Sequence, residues 1–86
     1  MKSSNYLLEC CVDSAYSARM AKKGGADRLE LCSNLVIGGT TPTLALYEQI
    51  RPQTDIRIHV LIRPRFGDFL YSEDEAALIC KEIDAF

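Results

Sequence analysis

Apolar and polar positions along this chain repeat one scheme three times, a short apolar run followed by a longer amphipathic one. The first apolar run, residues 6–12, reads as a strand that Glu9 interrupts. Asp13 or Ser14 then offers a side-chain oxygen to the unpaired first-turn amides of a helix over residues 15–23. Gly24-Gly25 closes that helix with the left-handed turn that helix ends favour. The second strand spans residues 28–32, and the loop Gly38-Gly39-Thr40-Thr41-Pro42 follows. Thr41 suits an N-cap there and Pro42 a first helical position, where its missing amide costs nothing; the helix runs over residues 43–51. The third strand, residues 56–63, is rich in β-branched side chains and stops at Arg63-Pro64. After the loop of residues 65–71, Ser72 and Glu75 form a capping-box pair. Ala76, Ile79, Cys80 and Ile83 then fall at i, i+3, i+4, i+7, one apolar stripe on the last helix.

Strands alternating with helices across short connections predict an α/β fold with a parallel sheet and right-handed crossovers. The three helices have similar apolar faces, as in the outer ring of a (β/α) barrel of the TIM type. The expectation is the first three βα units of such a barrel, residues 1–86 forming the N-terminal part of a single barrel domain. An open sheet of the flavodoxin type fits the same alternation. No strand leads into a Gly-x-Gly-x-x-Gly turn, so a dinucleotide fold has no support.

Composition narrows the partners. A net charge of -2, with basic residues scattered and grouped only at Lys22-Lys23 and Arg63-Arg65, gives no reason to expect nucleic acid or an anionic membrane. The first apolar run is too short to span a bilayer, and no secretory pattern surrounds it, which predicts a cytoplasmic protein. Cys10, Cys11, Cys32 and Cys80 match no zinc or Cys-x-x-Cys spacing. In a reducing cytosol they are free thiols, and four buried small hydrophobes is the plain reading.

The candidate chemistry sits on strand ends. Glu9-Cys10-Cys11 and Glu30-Leu31-Cys32 are both Glu-x-Cys. Side chains alternate faces along a strand, so Glu9 shares a face with Cys11, and Glu30 with Cys32. A carboxylate turned toward a helix layer would be buried without a partner. The acids therefore point inward, and Glu9, Glu30, Cys11, Cys32 and Arg63 are expected around the C-terminal mouth, where barrel sites lie. Glu9 and Glu30 are candidates for acid–base work beside Arg63. Two thiolates on adjacent parallel strands, about 4.8 Å apart, would suit a soft ion such as Cu(I). Arg63, Arg65 and Asp68 in the following loop either clamp a small anionic ligand or form an internal network, with Arg63 on Glu9 or Glu30 and Arg65 on Asp68. The Gly38–Pro42 turn is either an anion site at a helix start or an ordinary capped loop. His59, the single histidine, reads as a packed strand residue away from the mouth. No lysine stands at a strand's C-terminal end, so a Schiff-base mechanism has no nucleophile in these residues.

At these residues the chain resembles the CutC family. The likeness is carried by Leu8-Glu9-Cys10-Cys11-Val12-Asp13-Ser14, Gly24-Gly25-Ala26-Asp27-Arg28-Leu29-Glu30-Leu31-Cys32, Gly38-Gly39-Thr40-Thr41-Pro42 and Ile62-Arg63-Pro64-Arg65-Phe66-Gly67-Asp68-Phe69-Leu70-Tyr71-Ser72. The resemblance implies a cytoplasmic TIM-type barrel linked to copper homeostasis, with Cu(I) held by Cys11 and Cys32. It also leaves room for a barrel enzyme of unstated reaction on a small anionic substrate, because acidic and basic residues ring the mouth. Phe66 stands where the motif commonly carries glycine. A barrel of this type takes about 250 residues, so three units leave apolar strand edges open. Homo-oligomer formation or association through those edges is the expectation.

Overall fold

The structure is a computed structural model and describes residues 6–86. Strand β1 (Glu9–Val12) leads to helix α1 (Ala15–Lys23), β2 (Arg28–Leu31) to α2 (Leu44–Ile50), and β3 (Arg57–Val60) to α3 (Glu73–Ala85). The strands form one parallel sheet in the order β1-β2-β3, an α/β arrangement of three βα units. Single 3-10 turns occupy Leu35–Ile37 and Arg51–Gln53.

Local chemistry explains two of the three helix starts as anticipated. Ser14 caps α1, its hydroxyl accepting from the Ser17 amide, and Ser17 returns a bond to the cap. Ser72 and Glu75 form the capping box of α3. The middle helix departs from expectation: Thr43, not Thr41, is its N-cap and accepts from the Leu46 amide at 3.1 Å. Thr41 is held elsewhere. Its hydroxyl accepts from the Arg63 amide at 2.8 Å and its amide donates to the Arg63 carbonyl, so it stays extended and Pro42 precedes the cap.

The outer strands are shorter than the apolar runs that encode them, because a parallel ladder extends only as far as its central strand. β2 is four residues long, and the strand pairing stops with it. The apolar run ahead of β1 ends in a turn contact, where the Leu8 carbonyl accepts from the Asp27 and Arg28 amides.

Leu29 and Leu31 are wholly buried on the helix-facing side of β2, joined by Val12, Ala18, Ala26 and Ile50. Cys10, Leu46, Tyr47 and Ile58 close the margins of this core. The expectation of four buried cysteines is corrected: Cys32 is buried, Cys10 half-buried, and Cys11 and Cys80 exposed. All four are free. The α3 stripe is also less covered than its spacing suggests. Glu75, Ile79, Glu82 and Phe86 turn inward, whereas Ala76, Cys80 and Ile83 are exposed. α3 follows the edge strand β3 and has cover on one flank, where Phe86 meets Tyr47 edge-on at 5.7 Å. Among the described residues no helix is long and apolar enough to cross a membrane.

Candidate functional site

The sheet face opposite the helices is polar, and strand parity decides what it carries. Glu9 pairs in register with Arg28 and Arg28 with Arg57, forming one row across the strands. Cys11 pairs with Glu30 and Glu30 with His59, forming the next. Cys32 and Leu61 continue the face beyond the ladder.

In the first row Glu9 accepts from Arg28 Nε at 2.6 Å and lies 3.7 Å from His59 Nδ1. It thereby offsets a like-charge pair, since Arg28 and Arg57 stand directly opposed. In the second row Cys11 Sγ donates to Glu30 Oε1 at 3.4 Å. Cys32 Sγ donates to the Glu30 carbonyl at 3.6 Å, so both thiols bond to Glu30. Cys32 is only 1% exposed, because the Gly38-Gly39 turn folds over it. A Cβ added at Gly39, whose φ is +93°, would stand 2.9 Å from Leu61 Cδ2 and 3.5 Å from Cys32 Cβ, so that close approach requires glycine.

Both thiols are harder to ionise than an ordinary cysteine. Cys32 is pushed up to about 11, first by burial and then by the neighbouring Cys11 and the Glu30 charge. Cys11 is raised by desolvation first, then by its bond to Glu30 and by the Glu30 and Glu9 charges. A raised thiol value means that the unfolded chain loses its protons first as pH climbs. Stability is therefore full below the ordinary cysteine range and falls as pH rises toward the folded values. An alkaline titration followed by thiolate absorbance will show the Cys32 step near about 11, and a Glu30→Gln variant will move the Cys11 step down.

The mouth loops are held by two arginines. Arg63 Nη1 donates to the Gly39 carbonyl and Nη2 to the Gly67 carbonyl, both at 3.0 Å, and its guanidinium lies over the Phe69 ring at 5.2 Å. Arg65 bonds Glu75, the Asp68 carboxylate at 3.3 Å and the Leu70 carbonyl at 2.9 Å, over the Tyr71 ring. Of the two arrangements expected for this loop, the Arg65–Asp68 half of the internal network is present. The Arg63 half is corrected: Arg63 pairs with neither Glu9 nor Glu30, since both acids face partners nearer in register.

Glu9 is likewise not at a strand's C-terminal end but opens β1, two positions below Cys11, farther from the C-terminal end of the sheet than Cys11, Cys32, Glu30 and the Arg63 loop. Arg28, which sequence reasoning passed over, joins the polar face, and the reading of His59 as a packed residue away from the mouth is corrected: it is exposed and pairs with Glu30, level with Cys11. Their signal was the same alternation that placed Glu30, since Arg57, His59, Leu61 and Arg63 all share one parity. Among the described residues no three His, Cys, Asp or Glu side chains are grouped to hold a metal ion.

The family model described as the CutC family matches residues 6–86. The chain belongs to the CutC family. Over 81 residues it is 47% identical to the copper homeostasis protein cutC homolog of Homo sapiens, covering 94% of this chain and 30% of that one. A family protein CutC of Porphyromonas gingivalis is 49% identical over 76 residues, covering 88% of this chain and 31% of the relative. The crystal structure of the putative copper homeostasis protein CutC from Streptococcus agalactiae superposes with a TM-score of 0.76 at 32% identity, covering 91% of this chain and 39% of that one. The chain thus spans about a third of the length of the relatives it matches.

Proposed function

We propose that this chain serves copper homeostasis as the N-terminal part of a (β/α) barrel, binding Cu(I) as cargo through Cys11 and Cys32. One observation carries the reading: on the polar face both thiols bond the same residue, Cys11 at the Glu30 carboxylate and Cys32 at the Glu30 carbonyl. Thiolate sulfur is the donor type that selects Cu(I). The residues fit such an ion. The negative surroundings that keep the thiols protonated also favour a cation in their place, and binding releases the thiol protons. Glu30 lies beside the site, and Arg63 keeps the covering loop closed over Cys32. A cytoplasmic location suits this role, because a reducing compartment keeps both sulfurs free.

An anaerobic Cu(I) titration against a competing chelator tests it. Tight binding that disappears in a Cys11→Ser/Cys32→Ser variant is the expected result; equal binding by both proteins would sink the assignment.

A second reading, a barrel enzyme acting on a small anionic substrate, draws on one feature. Arg63 Nε is buried without a hydrogen-bond partner among the described residues, leaving a guanidinium donor at the mouth for a carboxylate or phosphate. Glu30 would then be the nearer acid–base group and Glu9 the more remote one. Arg65 and Asp68 would shape the loop through their mutual bond. Turnover that survives loss of both thiols and fails in Arg63→Ala would favour it.

A further inference from the structure

The two thiols of the proposed copper site differ in access. Cys11 is exposed, whereas Cys32 is 1% exposed. The cover over Cys32 is the turn that follows β2. A Cβ built on Gly39 would stand 3.5 Å from Cys32 Cβ and 3.8 Å from its sulfur, so the glycine backbone lies directly over the thiol. β2 is the central strand, with a paired neighbour on each side, so this cover does not depend on the open edges of the sheet.

The turn closes on itself. Ser33 and Thr40 exchange two backbone bonds, at 2.9 and 2.7 Å, and Asn34 Nδ2 donates to the Thr40 hydroxyl at 2.8 Å. Leu35, Val36 and Ile37 are exposed and give the turn little apolar anchorage. Its tie to the β3 loop is the bond from Arg63 Nη1 to the Gly39 carbonyl. Gly38 and Gly39 both have positive φ, so residues of wide conformational range stand where the turn meets Cys32.

We propose that residues 33–40 form a gate over Cys32, latched by Arg63, through which the thiol is reached. This rests on the Cu(I) reading of the pair for its consequence, an order of binding. Exposed Cys11 takes the ion first, and Cys32 joins when the turn swings aside. Arg63 is then a positioning residue, acting on Cys32 through Gly39. Opening breaks one charge-assisted bond and uncovers little apolar surface, so it is a local event short of unfolding the sheet.

Alkylation of the whole chain with N-ethylmaleimide, read cysteine by cysteine by mass spectrometry, tests the gate. In wild type Cys11 is expected to react faster than Cys32. Arg63→Ala should accelerate Cys32 about tenfold, the loss of roughly one charged hydrogen bond, and Arg63→Lys by a smaller factor. Cys10, at the core margin, should keep its rate in both. Removing a positive charge by itself slows a thiolate reaction, so acceleration in Arg63→Ala reports opening. An unchanged Cys32 rate in both variants overturns the gate. So does equal acceleration of Cys10 and Cys32, which would mean that only unfolding exposes the thiol. Anaerobic stopped-flow transfer of Cu(I) from a chelator tests the order. A fast phase lost in Cys11→Ser and a slow phase lost in Cys32→Ser are expected, the slow one faster in Arg63→Lys by its alkylation factor. Uptake in a single phase overturns the order. No uptake at all, with the labelling pattern intact, would remove the Cu(I) reading and leave the gate standing.

Discussion

Leu31→Ala will remove a large share of the chain's stability and lower its unfolding midpoint sharply. Leu31 has no exposed surface, and it sits on the central strand where core residues from all three βα units converge. Truncating a leucine at such a position removes its transfer free energy and leaves a cavity, together costing about 2–5 kcal/mol. Domains of this length hold roughly 5–10 kcal/mol in total, and here the sheet buries only its helix-facing side in a large apolar core. The loss is therefore a large fraction of the whole stability. Urea melts followed by circular dichroism will show the midpoint shifted well below the parent's, while Val36→Ala, at a position 98% exposed, will melt like the parent. A Leu31→Ala midpoint close to the parent's would mean that the core lies elsewhere.

Arg63→Ala should produce the second large effect, on the mouth rather than the core. The guanidinium joins two βα loops by donating to one carbonyl in each, Gly39 and Gly67. Hydrogen bonds from a charged donor contribute about 1.5–3 kcal/mol each, and less when solvent reaches them. The Gly67 bond is exposed, so the combined loss is about 2–3 kcal/mol. The loop over Cys32 then loses its clasp. Hydrogen exchange in residues 35–41 and 66–70 will accelerate more than in β2 or α1. Arg63→Lys will recover only part of the loss, because an ammonium lacks the planar fork that spans two acceptors. Unchanged exchange in both loops would show that the turns hold themselves.

The two variants separate what was readable along the chain from what was not. Short-range features were legible. Ser14 before α1 and the Ser72–Glu75 pair before α3 act within three residues, so a local pattern suffices to find them. The alternation that set Glu30 and Cys11 on one face and Leu29 and Leu31 on the other is also a property of the strand itself. Thr41 misled because its fate depends on Arg63, twenty-two residues away, whose backbone bonds its hydroxyl and amide while the cap passes to Thr43. The α3 stripe misled for a similar reason. Periodicity states which residues share a face, and only the neighbouring elements decide whether that face is covered.

The candidate site divides along the same line. Sequence alone determined the three βα units, the parallel α/β class and the likeness to the CutC family. It also picked out the two Glu-x-Cys segments whose sulfurs share a face. Register and loop closure belonged to the tertiary structure. They set Glu9 against Arg28 instead of Arg63, brought His59 level with Glu30, and buried Cys32 under the Gly39 turn while leaving Cys11 exposed. Side-chain alternation is written into each strand. The offset between strands, and the path of the loop that crosses their ends, arise from contacts between residues about twenty positions apart, which no local pattern encodes.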